Sequence, residues 1–289
     1  MNSMINANNG LAINQVVSRQ MQEVQGAIIM AKQFPRDVNA SLDAIMAACR
    51  NRRVAESAEY VFPRDGQDIS GASIRLAEVV AQAWGNIDYG IIELSSSNGV
   101  SEMMAYAWDI QANVRRQMIF SVRHERTSKK RGTYKLTDSR DVYEVVANMG
   151  SRRVRACILA VIPAYVVDEA REECKKYLES ELGKDGRNGF EKEIKITIST
   201  FERKMGIPAE SLEKYLGKSR NQWDLQDMIS IRSVYSSIKE GMAGKADFFP
   251  ELAEPEKPET VEETERAAEQ LNEQLGLVSE VNENDVDAR

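Results

Sequence analysis

Arg115, Arg116, Arg123, Arg126, Lys129, Lys130, Arg131 and Lys135 place eight cations in a span whose single acid is Glu125. The chemistry open to such a strip is electrostatic. Several cations on one surface release counterions from a polyanion, and a nucleic-acid backbone is the polyanion with regular charge spacing. Arg152, Arg153 and Arg155 add a second basic knot. The chain as a whole is acidic, with a formal net charge of −7. The strip is therefore local and reads as a binding surface. The competing reading is a solvated surface with its charges turned in different directions. Alternation along a strand sends Arg115 and Arg116 to opposite faces, so not every cation can join one site.

Aromatic residues interleave with these cations: Tyr89, Tyr106, Trp108, Phe120, Tyr134 and Tyr143. Stacking on bases needs an exposed ring. Most of the six read as core, and Tyr134, inside a polar stretch, is the best stacking candidate. Other chemistries have little to stand on. His124 is the single histidine, so neither a His-based metal site nor a triad is expected. Cys49, Cys157 and Cys174 are widely spaced, with neither a disulfide framework nor a zinc spacing. The run GMAGK at 241–245 leads into Ala246 and lacks the spacing and hydroxyl of a phosphate-binding loop, so no ATP engine is visible. Glu191-Lys192-Glu193-Ile194-Lys195 contains an acid-x-Lys fragment of the kind nucleases use around a metal. Alternating charge in a helix or linker produces the same fragment. We expect no catalytic residue and no metal ligand.

The elements that must position the strip follow from periodicity. Residues 12–33 have helical spacing through Ile13, Val16, Val17, Met21, Val24, Ile28 and Ile29, and Pro35 stops the helix. A second helix is expected over 38–50. The run AEYVFP at 58–63 reads as a strand followed by an Arg64-Asp65-Gly66 turn. Residues 71–84 return to helical spacing, closed by Gly85-Asn86. Strands are expected over 87–94, 102–110 and 114–123, with SSSNG at 95–99 as a hairpin turn. In the third, Val114, Arg116, Met118, Phe120 and Val122 take one face, and Arg115, Gln117, Ile119, Ser121 and Arg123 the other. The sum is an antiparallel meander beside helices, an α+β arrangement.

Residues 126–136, RTSKKRGTYKL, lack an apolar period and read as a loop or finger. Residues 138–162 read as a helix with a stripe of Val142, Val145, Val146, Met149, Cys157 and Val161. Arg153 falls on that stripe, where an arginine is costly unless paired or facing a charged groove. A second possibility is a break at Gly150, with Ser151 capping a new helix that starts at Arg152 and points at phosphate. GKDGRNG at 183–189 reads as a flexible connector. Residues 190–242 read as a helical module with a core of Phe201, Met205, Leu212, Leu216, Trp223, Met228, Ile231, Val234 and Ile238. From Phe248 the chain carries thirteen acids against three bases and reads as a disordered acidic tail. No apolar run approaches the ~20 residues of a membrane helix. The N-terminal MNSMINANNG lacks the basic-then-apolar order of a secretory leader.

In order, the strand ending AEYVFPRDG, the segment GASIRLAEVVAQAWGNIDYGIIEL, the basic meander and finger, and DVYEVVANMGSRRVRACILAVIPAYVVDEA resemble the phage single-strand annealing proteins of the RecT/Redβ/Erf superfamily. The likeness covers residues 38–180. The segment GIPAESLEKYLGKSRNQWDLQDMISIRSVYSSIKEGMA is similar to the C-terminal helical part of RecT-type recombinases. The resemblance implies an α+β annealing core over 38–182, preceded by an N-terminal helix over 1–37. A helical module over 190–247 and an acidic disordered tail over 248–289 would follow. It implies ATP-independent binding and annealing of single-stranded DNA in phage or prophage recombination, by rings or helical filaments of the chain in the bacterial cytoplasm. A 5′→3′ exonuclease and a host single-strand-binding protein are the implied partners, with no membrane. No cofactor is required, and Mg²⁺ is at most a modulator of DNA binding. The expected DNA contacts are Arg116, Arg123, Arg126, Lys129, Lys130, Arg131, Tyr134, Lys135, Arg152, Arg153 and Arg155. The alternative is a non-enzymatic phage interaction or assembly protein whose basic strip binds an acidic partner.

Overall fold

Helices and antiparallel strands build an α+β fold in which one long helix lies along a three-stranded meander. The computed structural model describes residues 2–64, 67–128 and 132–252. The chain divides into two units, residues 1–126 with 134–253, and residues 127–133 with 254–289. Of the second unit, the described residues are Thr127, Ser128, Gly132 and Thr133, and the two threonine hydroxyls lie 3.0 Å apart.

The first unit opens with α1 (Asn2–Gln33), α2 (Val38–Cys49) and α3 (Arg52–Glu56). A hairpin of β1 (Glu59–Arg64) and β2 (Gln67–Ala72) leads to α4 (Ile74–Trp84). Ser73 caps α4, its hydroxyl accepting from Leu76 N at 3.1 Å, and the stripe Leu76, Ala77, Val80, Ala81 and Trp84 is buried. The meander follows as β3 (Ile87–Ser97), β4 (Val100–Asp109) and β5 (Val114–Arg123), in the order β3-β4-β5. Asn98 and Gly99 turn between β3 and β4 with φ of 51° and 75°, the left-handed pair that a two-residue hairpin needs. The strands run further into SSSNG than its composition suggests, because only Asn-Gly makes the turn.

Beyond β5, β6 (Glu125–Ser128) pairs with β7 (Gly132–Lys135), so the expected loop is a small hairpin. Then come α5 (Ser139–Val161) and α6 (Ala164–Gly183), separated at Pro163. Asp138 caps α5 by accepting from Arg140 N and Asp141 N. The helix passes through Gly150 unbroken, and the Ser151 hydroxyl donates to Asn148 O rather than capping a new helix. The chain continues as α7 (Gly186–Met205), α8 (Ala209–Leu216), α9 (Leu225–Lys239) and α10 (Lys245–Phe248), with short 3-10 turns at Arg220–Gln222 and Pro250–Leu252.

Three expectations change. QDISGA forms β2, although it lacks a strand's apolar content. Its Gly71 stands opposite Tyr60, whose ring fills the space a side chain would take. GKDGRNG is not a flexible connector: α6 ends at Gly183 and α7 begins at Gly186, leaving a tight helical turn. The expected tail starts too early, because Phe248 and Phe249 are buried beside Tyr215. Residues 253–289 lie outside the described residues.

Two apolar clusters hold the first unit. One joins α2, α4, α5 and α6 to the inner face of the meander through Ile45, Leu76, Val80, Trp84, Ala105, Ala107, Ile158 and Val166. The other gathers Ile194, Phe201, Leu212, Trp223, Met228, Ile231 and Val234 from the C-terminal helices, together with Val61 of β1. The helical module is thus built onto the first hairpin. Val61 N donates to the Ser237 hydroxyl at 2.7 Å, and the Ser236 hydroxyl donates to Glu56 O at 3.0 Å.

Candidate nucleic-acid interface

The alternation of β4 and β5 decides which cations share a side. β4 buries Ser101, Met103, Ala105, Ala107 and Asp109 toward α5. Opposite them on β5 stand Val122, Phe120, Met118, Arg116 and Val114. The other face carries Glu102, Met104, Tyr106 and Trp108 of β4, facing Ser121, Ile119, Gln117 and Arg115 of β5. This outer face is open: Ile119 keeps 64% of its surface exposed, and Ile92 of β3 is also exposed. Among the described residues β5 is an edge strand, paired with β4 alone.

Arg115, Arg116 and Arg123 are all exposed along that edge. None of the three has a salt-bridge partner among the described residues. Arginines elsewhere are commonly paired. Arg50 meets Glu173 at 2.5 Å, Arg140 meets Glu144 at 3.3 Å, Arg171 meets Glu59 at 2.7 Å and Arg220 meets Glu213 at 2.9 Å. Arg116 lies on the α5 side, where burial pushes the Cys157 thiol up and the guanidinium opposes that shift. Arg126 and Lys135 are exposed on the paired strands β6 and β7, and Tyr134 is half-buried. Lys129, Lys130 and Arg131 lie outside the described residues.

The α5 arginines are placed differently. Arg152 donates to Gly241 O at 2.7 Å and so ties α5 to the end of α9. Arg153 turns the other way, 4.6 Å over the Phe120 ring, and donates to Met149 O at 3.0 Å. That contact answers the cost of an arginine on an apolar stripe, since the ring and the carbonyl take up its charge. Arg155 stands 4.2 Å over the Tyr60 ring, and burial pulls its pKa below the ordinary arginine value. The knot therefore splits: Arg152 and Arg155 face β1 and α9, and Arg153 faces β5.

The residues that could suggest hydrolytic chemistry are engaged otherwise. Ser101 donates to Glu93 Oε1 at 2.7 Å and meets His124 Nε2 at 2.8 Å. With the serine proton given to the carboxylate, the imidazole nitrogen must donate, and it has no lone pair left to activate the serine. Glu193 is held between Arg52 at 2.9 Å and Arg232 at 2.7 Å, and Glu191 pairs with Arg187 at 3.4 Å. Glu56 also meets both Arg52 and Arg232, so two arginines and two glutamates close a ring joining α3, α7 and α9. The ring lines a groove of about 960 Å³, which Arg53, Arg75, Glu78, Asn148 and Lys239 also line. No cluster of three metal-ligating side chains occurs among the described residues.

Sequence reasoning missed Tyr106 and Trp108 as surface aromatics. Their places in the alternation, opposite Gln117 and Arg115, carried the signal, because those partners belong to the polar face of β5. No helix is long and apolar enough to cross a membrane among the described residues. No family model, no curated protein and no solved structure matches the chain.

Proposed function

We propose that this protein binds single-stranded DNA and promotes the annealing of complementary strands without ATP, as part of a phage or prophage recombination system. The observation that carries the reading is the row of Arg115, Arg116 and Arg123, exposed on one edge strand without a carboxylate partner among the described residues. Unpaired cations in a row are suited to a backbone of regularly spaced phosphates. Arg126, Lys135 and Tyr134 of the adjoining paired strands extend the site, and Lys129, Lys130 and Arg131 belong to the same basic run of sequence. Neutralising the backbone lowers repulsion between two strands, and pairing then needs no further chemistry from the protein. Copies of the chain, arrayed as a ring or filament, would extend many weak contacts along the strand. Arg152, Arg153 and Arg155 enter this reading by holding α5 against β1, α9 and β5.

The resemblance of the order of its segments to the RecT/Redβ/Erf superfamily favours DNA over other polyanions. In such a system a 5′→3′ exonuclease supplies the single strand, a host single-strand-binding protein competes for it, and Mg²⁺ modulates binding. A second reading, an interaction or assembly protein, is favoured by the exposed apolar side chains Val17, Met21, Val24, Ile29 and Met30 of α1.

Annealing of two complementary labelled oligonucleotides, with purified protein, no ATP and EDTA present, separates the two. A protein-dependent rate that falls steeply with salt supports the first reading. No acceleration, together with no DNA binding at low salt, favours the second.

A further inference from the structure

The outer face of the meander carries two aromatic rings whose polar ends are tied down. Tyr106 Oη donates to Asp88 Oδ1 at 3.4 Å, and Trp108 Nε1 donates to Asn113 Oδ1 at 3.3 Å. Tyr106 lies across Gly90 of β3, where a Cβ would fall 3.2 Å from Oη and 3.3 Å from Cε1. The half-buried ring thus lies across the sheet over Gly90. The Arg115 guanidinium stands over it, 5.8 Å from the centroid. The apolar row Ile92, Met104 and Ile119 continues the surface across all three strands.

Charge on this face is arranged at its ends. Arg115 and Arg123 lie at opposite ends of β5, roughly 26 Å apart at strand rise. The acids on the face are Asp88 and Glu102. Asp88 accepts from Tyr106, and Glu102 accepts from the Ser121 hydroxyl at 2.5 Å.

Building on the single-strand reading above, we propose that this face receives the bases, with Tyr106 and Trp108 as stacking platforms and Arg115 shared between the Tyr106 ring and a phosphate. Ring stacking is tolerant of sequence, because every base has a π-face. It also occupies the face of a base and leaves the pairing edge free, which annealing requires. The phosphates then run along the border where Arg115, Arg116 and Arg123 stand.

The chain carries its own reporter. Trp84 and Trp223 are buried at 3% and 5% exposure, whereas Trp108 is partly open to solvent. Full-length protein is titrated with dT oligonucleotide, dye-labelled for anisotropy and unlabelled for tryptophan emission. The expected result is a fall in emission with the same midpoint as the rise in anisotropy. Trp108→Leu should abolish the fall and weaken binding roughly tenfold, with unchanged circular dichroism. An oligonucleotide of abasic sites should bind through charge and leave the wild-type emission unchanged, an arm that does not depend on any variant. Binding of dT with unchanged emission overturns the platform and leaves the single-strand reading standing. So does equal quenching by the abasic strand. No binding of any oligonucleotide at low salt overturns both.

Discussion

Arginine, tyrosine and glycine meet twice in this fold, once with the arginine half-buried and once with it exposed. In the first place, Arg155 of α5 stands 4.2 Å over Tyr60, and Gly71 lies beneath the ring. In the second, Arg115 of β5 stands 5.8 Å over Tyr106, which lies across Gly90. Arg155 is half-buried against Tyr60, and burial lowers its pKa. The outer sheet face leaves Arg115 exposed. The same three residue types therefore make a packing device in one place and a candidate binding device in the other. What separates them is whether the cation still has solvent to exchange for a ligand.

Charge reversal gives the widest separation between the two. Arg155→Glu sets a carboxylate near Glu240 and over a ring face, and should destabilise the fold by about 3 kcal/mol in urea unfolding. Arg115→Glu should change stability by less than about 0.5 kcal/mol while weakening DNA binding at low salt. Equal losses of stability would end the distinction. Next in size, replacing Arg115, Arg116 and Arg123 together by alanine should reduce the slope of log affinity against log salt by about 2. An unchanged slope would place the backbone elsewhere. The glycines give a smaller contrast. A Cβ at Gly71 would fall 2.8 Å from Tyr60 Cε1, so Gly71→Ala should cost about 1–2 kcal/mol. Gly90→Ala presses on a ring that can lift into solvent, and should cost less than about 1 kcal/mol.

The smallest effect is one of pH. Burial holds the Glu240 carboxyl above its ordinary range, and Arg75, 3.7 Å away, opposes that shift. The folded state then binds this proton more readily than the unfolded chain does. The Glu240 contribution to stability therefore rises as pH falls through the raised pKa, and is complete below the ordinary carboxylate range. Comparing urea midpoints at pH 7 and pH 5 tests this: Glu240→Gln should lack an increment that the wild type gains at the lower pH.

Much of this architecture could be read from the residues because local and tertiary preferences agree. The alternation of 114–123 placed Met118, Phe120 and Val122 on one face, and they turn inward toward α5. Of the expected core of the helical module, Phe201, Met205, Leu212, Trp223, Met228, Ile231 and Val234 are buried, and Leu216 and Ile238 are half-buried. β2 was not legible, because its pairing depends on the Tyr60 ring lying over Gly71, a contact across the hairpin. The brevity of the α6–α7 turn was hidden because glycine marks tight turns and loose linkers alike. The arginine knot was legible as charge but not as geometry. Helical spacing sends Arg152 and Arg155 one way and Arg153 the other, and only the packing of α5 shows which carbonyls and rings receive them.

The bond from Val61 to Ser237 also bears on the order in which this protein is made. Its partners are 176 residues apart in the chain. Ribosomes add about 5–20 residues each second, so β1 waits roughly 9–35 s for the helix that covers it. Throughout that interval Val61 lacks its apolar neighbours. The first hairpin is the stretch of nascent chain most in need of early shelter, and pausing within the codons for 190–237 would lengthen its exposure.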